Sequence, residues 1–557
     1  MSIFKSVNSY NEFYNFLIKL PNDHNKVKGD LFELLTKYLF LIHPNFKNIT
    51  KHIYLYNEIP FDIKTKFNLP NIDKGIDLLL INNDDEFYPI QCKFRSNLNE
   101  IIYWNELATF AGQLFVGSFK KGILITNTFD ICDEISKCDN IDIINGEFFD
   151  ELSNEFFINI QNYINKIPIN YIKKDLRYYQ TRIINNTIEY FNHFNRGYIS
   201  MACGTGKTIT CNHIDQQLLT TKTLILVPSL YLLSQIYSEF ALFYFNRNVK
   251  FILVGSDLEH KNVFLSTNID DITSQIKSHI DDKLIIISTY QSCKLLSGLL
   301  DFDLIIFDEA HKTVSDSLFS YAIYDENITA KNRLFATATP KISNYDDDEI
   351  SMTNTILYGN CIDTYQIGEA IDDNYLCPYE LQCMYISNND LLNFINKNYY
   401  LDDVIYNFHY ISCMMIIKQK LLNNHFNHLL TYHSSINSSI QFTEMLNKHV
   451  KLTSKNKISE HLRNKIKFTE KNIDEFNQYI NNFDIFNNDD LFVAHLDGTC
   501  RAKKRKSVID TFSNNKKGII TSSRVLNEGV NIPIVDSICF VEPRTSSIDI
   551  IQCVEEH

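Results

Sequence analysis

The sequence lacks the marks of several protein classes. Its thirteen cysteines are scattered and never form a C-x-x-C pair, and Cys132/Cys138 and Cys377/Cys383 are spaced too widely for a metal knuckle. Reduced thiols in an intracellular, cytoplasmic setting are the reading that follows. No apolar run approaches the ~18 residues that cross a bilayer, and the first residues, MSIFKSVNSYNEF, have neither the basic start nor the apolar core of a signal peptide. No membrane partner is therefore expected. Glycine (16) and proline (11) are too scarce for long flexible linkers. The single tryptophan, Trp104, is expected in core packing. Positive charge is also in deficit: the net charge is −14, which argues against a surface coated in basic patches, though not against one narrow basic channel.

What remains is a soluble globular composition, 45% hydrophobic and 22% charged, in a chain of 557 residues. That length suggests two to four domains, each with its own core. Asn, Ile, Lys and Tyr are abundant, as AT-rich codons would produce.

The strongest local signal is RGYISMACGTGKTITCNHI. An apolar strand at Tyr198–Met201 runs into Gly204-Thr205-Gly206-Lys207-Thr208 and then a helix. Glycines let backbone N–H groups close around phosphate oxygens, and a helix N-terminus adds its positive end. Lys207 would reach the β- and γ-phosphates of ATP, and the Thr208 hydroxyl would ligate Mg²⁺. The first glycine of the usual pattern is replaced by Met201. About a hundred residues on, FDLIIFDEAHKT delivers Asp308 and Glu309 at the carboxyl end of a buried strand, where open α/β sheets bind ligands. Asp308 would hold Mg²⁺ through water and Glu309 would orient the attacking water.

These motifs resemble superfamily-two helicases and translocases, in particular the DEAH-type motors of restriction enzymes. LRYYQTRII (Leu176–Ile184) resembles the adenine-reading segment, with Arg177 and Gln180 in the recognition positions. LILVPSLYLLSQ (Leu224–Gln235) and ISTYQS (Ile287–Ser292) resemble the strand-grip motifs. FATATP (Phe335–Pro340) resembles the motif that couples hydrolysis to movement, with Thr337 and Thr339 as its hydroxyls. LLTYHSS (Leu429–Ser435), VAHLDGTCRAKKRKSVIDTF (Val493–Phe512) and ITSSRVLNEGVNIP (Ile520–Pro533, containing Gly529) resemble the second RecA-like domain. The resemblance covers roughly residues 172–554. It implies two RecA-like lobes that sandwich ATP and step along a nucleic acid, DNA before RNA. The run Lys503–Lys506 is expected to be a solvated helix face. Residues 446–490 read as a polar helical insertion.

Towards the N-terminus, KGDLFELLTKYLFL reads as an amphipathic helix carrying Glu33. GIDLLLINNDDEFYPIQCKFR places Asp77 at the head of a strand, a turn at Asn82–Glu86, and then Gln91 and Lys93 on one face of the next strand. An acid on one hairpin strand, with an acceptor and a lysine on its partner, can hold a divalent metal beside a cation and activate water for phosphodiester attack. His24 and His43 stand alone and are expected at the surface or in packing. The pattern resembles the Mrr-like branch of the PD-(D/E)xK nucleases, in which Gln replaces the second acid. That resemblance makes Asp77 and Gln91 metal-facing, Lys93 catalytic and Glu33 a supporting acid.

The expected fold class is α/β, with an N-terminal restriction-endonuclease-like domain (1–165) followed by two RecA-like P-loop domains (166–370 and 371–557). The family's last motor motif reads Q-x-x-G-R-x-x-R. Here Gln552 is present, but Glu555 and Glu556 stand where Gly and Arg belong. A frameshift that cuts the motif short is the expectation, leaving ATP able to bind while hydrolysis is slow. No (N/D)PP(Y/F) motif occurs, so modification and target recognition are expected on a separate segment or subunit. Two alternatives stay open: an RNA or DNA helicase of transcription or repair whose front domain only binds, and a catalytically impaired remnant.

Overall fold

The computed structural model describes residues 3–557 except 73, 139, 172–174, 257–264, 315–317, 342–349, 384–407, 450–490, 498–499, 501, 524–531, 533, 543–549 and 551–557. Gly529, Gln552, most of the polar segment at 446–490 and part of the Lys503–Lys506 run lie outside the described residues or side chains. The chain divides into two compact units, Met1–Ala370 and Ile371–His557.

The first unit begins with a mixed sheet of β1 (Thr50–Leu55), β2 (Leu78–Asn82), β3 (Phe87–Lys93), β4 (Gly122–Thr126) and β5 (Ile141–Ile144), in that order. β1, β2 and β3 pair antiparallel, whereas β3, β4 and β5 are parallel. β2 and β4 are buried along their whole length, so each strand sends alternate residues into two cores. Leu78, Leu80, Ile123 and Ile125 pack with the helices Asn25–Ile42 and Asn154–Ile164. Leu79 and Leu124 pack on the other face with Phe110 and Leu114. The β2–β3 turn spans Asn82–Glu86, where Asn82 N donates to Glu86 O at 3.0 Å.

Trp104 does not join the core. It is 39% exposed and Tyr103 is 55% exposed. The neighbouring Ile102 takes the buried position, through a bridge to Ile131. The short turn Trp104–Glu106 then leads outward, and its Glu106 bonds the Tyr103 N–H.

The rest of the unit is a parallel sheet of β6 (Arg196–Met201), β7 (Lys222–Val227), β8 (Val249–Val254), β9 (Leu265–Ser266), β10 (Lys283–Thr289), β11 (Phe302–Phe307), β12 (Ala330–Thr337) and β13 (Asn360–Tyr365). Among the described residues the order is β13-β6-β12-β11-β7-β10-β8-β9. Near-continuous apolar runs such as LILV and LIIF suit strands covered on both faces. Entry to β13 depends on Gly359, whose φ is +70° and whose missing Cβ would lie 1.8 Å from Arg196 O.

The second unit contains a parallel sheet in the order β15 (Leu491–Leu496), β16 (Lys517–Ser522), β14 (His428–Tyr432), β17 (Ser537–Phe540). The helices Phe408–Leu422 and Ile436–His449 contribute Ile417, Leu421, Phe442 and Met445 to its core. Ser439 Oγ, on the second of these helices, meets His495 Nδ1 at 2.8 Å, and His495 Nε2 meets Asp497 Oδ2 at 2.9 Å.

Candidate functional sites: a phosphate loop with paired acids, and a metal-type hairpin

Strand order explains how distant segments meet. β12 lies between β6 and β11, so Thr337 at its end sits between the loop after β6 and the acids after β11. The loop is shaped for close backbone approach: Gly204 and Gly206 have φ of +73° and +87°. A Cβ on Gly206 would come within 2.4 Å of Gln180 Nε2. Gln180 is buried and braces the loop, its Nε2 donating to Thr205 O at 2.9 Å while its Oε1 accepts from Arg177 N at 2.9 Å. Tyr179 OH donates to the same carbonyl at 2.7 Å, and its ring stacks on Tyr365 at the end of β13. Arg177 Nη1 donates to Tyr179 OH.

Lys207 opens the helix Lys207–Gln217, with Thr208 next to it. Its Nζ stands 3.2 Å from Glu309 Oε1, with 11% and 17% of the two side chains exposed. Cys203 Sγ lies 3.7 Å from the same ammonium. Burial disfavours charge on both partners, but their mutual attraction outweighs it: Lys207 is held up and Glu309 down. Asp308 receives less of that cation. Burial, then the charge of Glu309, raises its carboxyl to about 7. Glu309 adopts φ +49°, an uncommon conformation for a non-glycine residue. Its Oε2 is buried with no hydrogen-bond donor among the described residues; His311 Nδ1 is the nearest charged-type neighbour at 3.5 Å.

His311 was not singled out from sequence, although it stands two residues after Glu309. Its Nδ1 meets Thr337 Oγ1 at 3.0 Å, and burial lowers its pKa to about 4, so the ring is neutral at pH 7. Thr339 N donates to Thr337 Oγ1, while Thr339 Oγ1 is a buried orphan among the described residues. The arrangement thus connects Lys207, Glu309, His311, Thr337 and Thr339 in one chain of contacts.

In the front domain, antiparallel pairing sets Asp77 beside β3. Asp77 N donates to Ile90 O at 2.9 Å, and Cys92 N donates to Asp77 Oδ2 at 2.5 Å. Gln91 and Lys93 therefore flank the residue whose backbone holds the carboxylate. Cys92 Sγ reaches Thr36 Oγ1 at 3.5 Å, on the helix carrying Glu33. Burial, then the charge of Asp77, keeps this thiol protonated, and Glu33 and Lys93 also act on it. Glu33, Asp77 and Lys93 thus all act electrostatically on the Cys92 thiol, and Gln91 adjoins it in sequence. Gln91 is only 5% exposed, and its Oε1 has no hydrogen-bond partner among the described residues.

A buried acceptor without a donor costs about 1–3 kcal/mol, and a cation would satisfy it. Asp77 and Gln91 supply oxygen donors of the kind Mg²⁺ or Mn²⁺ takes, while no group of three or more His, Cys, Asp or Glu among the described residues is placed to hold a metal. The positive-φ glycines Gly204 and Gly206 and the buried Lys207 ammonium are chemically suited to a nucleotide phosphate. His43 is a packing residue, ringed by Phe46, Phe148 and Phe156.

The fold is that of a P-loop domain of the helicase kind joined to a restriction-endonuclease-like domain. The comparisons agree segment by segment. Residues 41–146 match a restriction endonuclease family model, residues 173–342 the type III restriction enzyme res subunit, and residues 449–555 the helicase conserved C-terminal domain. The chain has the domain content of a restriction-enzyme helicase with an N-terminal nuclease-like domain. The helicase and restriction nuclease families together imply ATP and, typically, a divalent metal.

Among relatives, the probable helicase A859L of African swine fever virus (isolate Tick/Malawi/Lil 20-1/1983) is 35% identical over 215 residues, 37% of this chain and 24% of that protein. The type I restriction enzyme EcoAI endonuclease subunit of Escherichia coli is 27% identical over 216 residues, again 24% of its length. These matches therefore span about a quarter of each relative. The solved ATP-dependent type ISP restriction-modification enzyme LlaBIII bound to DNA shares the fold, with a TM-score of 0.70 and 21% identity over 98% of this chain and 36% of that one.

Proposed function

We propose that the chain is an ATP-driven DNA translocase or helicase whose front domain cuts DNA with a divalent metal, in a restriction or defence role. The observation that carries the reading is the company kept by two incomplete sites within one compact unit. Lys207 pairs with Glu309 next to a loop whose glycines take positive φ, and the orphaned oxygen of Gln91 belongs to the strand whose Cys92 N–H holds Asp77. Two similar proteins are restriction enzymes, and one of them was solved bound to DNA, which favours DNA over RNA.

In this reading Lys207 neutralises phosphate charge, and Thr208 and Asp308 hold Mg²⁺. Glu309, released from Lys207, orients water. Arg177 and Gln180 read the base, directly or by setting the loop. Thr337 and Thr339, with His311, pass the state of the acids to β12 and its neighbours. Gly529 and Gln552 are assigned to the nucleotide from sequence alone. In the front domain Asp77 and Gln91 hold the metal, Lys93 stabilises the phosphate's developing charge, and Glu33 supports. We place the domain limits at 1–165, 166–370 and 371–557.

The test is ATPase rate with and without duplex DNA or RNA, on wild type and Lys207→Ala, together with metal-dependent nicking by wild type and Lys93→Ala. DNA stimulation lost in Lys207→Ala, and nicking lost in Lys93→Ala, are expected. Stimulation by RNA alone would reject the DNA reading, and nicking that survives Lys93→Ala would reject the nuclease site.

A further inference from the structure

The catalytic elements of the front domain are tied to the motor sheet at two separate places. The first tie is at the turn of the β2–β3 hairpin, the same hairpin that carries Asp77, Gln91 and Lys93. Asp84, in that turn, meets His279 Nε2 at 2.7 Å, and the other ring nitrogen meets Asp282 Oδ2 at 2.9 Å. His279 directly follows the helix Ile269–Ser278 and leads into β10. Lys222 Nζ, at the start of β7, donates to Asp282 O at 2.5 Å and reaches His279 O at 3.5 Å. The hairpin turn is therefore fastened to the starting ends of β7 and β10 together. A bridging lysine, Lys120, stands 3.5 Å from Glu86 in the turn and 4.0 Å from Asp271 on the helix.

The second tie begins at the helix that carries Glu33. That helix ends at Ile42, and the following turn, Pro44–Lys47, lies against the helix Leu230–Phe243. Asn45 Nδ2 donates to Ser238 Oγ at 2.9 Å, and Tyr237 OH donates to Asn45 O. Asn48 Nδ2 reaches Ala241 O at 3.4 Å. The motor helix is capped at its other end by Ser229, just past the carboxyl end of β7. The two ties are themselves linked, since Asn83 Nδ2 donates to Asn48 O at 2.6 Å.

We infer that this interface is a transmission. Nucleic acid seated at the carboxyl ends of β7 and β10 fixes those strands, and the Asp84–His279 and Asn45–Ser238 ties carry that restraint to the hairpin holding Asp77, Gln91 and Lys93. β-Strands of six or seven residues are stiff rods about 20 Å long, so a restraint at one end is felt at the other. A surface that only glued two domains together would need no contact at the turn of the catalytic hairpin. The inference rests on the proposed binding of DNA by the motor.

Amide hydrogen exchange over residues 82–93 tests it, using the whole chain with and without a tailed DNA duplex and a non-hydrolysable ATP analogue. In wild type, DNA is expected to slow exchange of this segment by about tenfold. In the double variant His279→Ala, Asn45→Ala the slowing should vanish while the affinity for the duplex stays within about twofold. The milder Asp84→Asn should lose part of the response with folding intact. A response that persists in the double variant, or a wild-type hairpin that ignores bound DNA, overturns the transmission alone. A wild-type chain that binds no DNA overturns the functional reading and the transmission together.

Discussion

Replacing Lys207 with alanine should do more than remove a phosphate contact, because it leaves Glu309 and Asp308 enclosed without their cation. Breaking a fully buried ion pair costs about 3–5 kcal/mol. The side chains here are 11% and 17% exposed, so solvent screening lowers that to about 2–3 kcal/mol. Protonation sets an independent ceiling. Taking up a proton at pH 7 against the ordinary glutamate value of 4.5 costs about 3.4 kcal/mol, at about 1.36 kcal/mol per pH unit. The ligand-free variant should therefore melt earlier than wild type by about 4–12 °C for a domain of this size.

The variant's carboxyl would have a folded-state pKa above its unfolded value. Its folded form then gains protons as pH falls, so the deficit should shrink by up to about 1.4 kcal/mol per unit as pH drops below 7. Calorimetry on wild type, Lys207→Ala, Glu309→Gln and the double variant, at pH 6 and 8, reads all of this. The double variant should lose less than the two single variants combined. Strict additivity, or a pH-independent deficit, would refute the pair as the source of the effect.

Three further outcomes follow from the geometry. Gln91→Leu removes a buried orphan acceptor and should raise metal-free stability by about 1 kcal/mol while abolishing any melting shift given by Mn²⁺; a retained shift would exclude Gln91 as a ligand. Gly359→Ala meets Arg196 O at a positive φ and should destabilise the first unit by about 3 kcal/mol, seen as an earlier melting transition, whereas wild-type melting would show that the β13 entry can shift. His43 is held down to about 3 by burial, so below pH 6.5 the unfolded ring takes a proton that the folded ring refuses. Stability is thereby lost as pH falls, by about 1–2 kcal/mol at pH 5, and His43→Phe should flatten that part of the melting-versus-pH curve.

The strands and loops that carry the candidate motor residues were legible because their signals are local. GTGKT and DEAH each carry their signal within a few residues, and the strand before each is a plain apolar run. The hairpin was equally readable, since Asn82–Glu86 marks a turn and alternation sets Gln91 with Lys93. Contacts between segments distant in sequence were not readable. Asp84 and His279 are ordinary polar residues until folding places them 2.7 Å apart, and no local pattern announces such a pair. Trp104 misled for a related reason: its size argues for burial, but the adjacent Ile102 had already filled the core position. His311 could have been found from its place two residues after Glu309. The left-handed backbone of Glu309 had no signal at all, because the residue there is not glycine.

The position of β6 has a consequence for how the chain matures. The strand that feeds the phosphate loop lies between β12 and β13, and both are made long after Met201. A nascent chain that has just produced Lys207 has the motif but neither neighbouring strand. Such long-range parallel pairing is slow to form and leaves strand edges open meanwhile. Nucleotide recognition should therefore not begin before residues up to Tyr365 have emerged, and chaperone demand should be high until then.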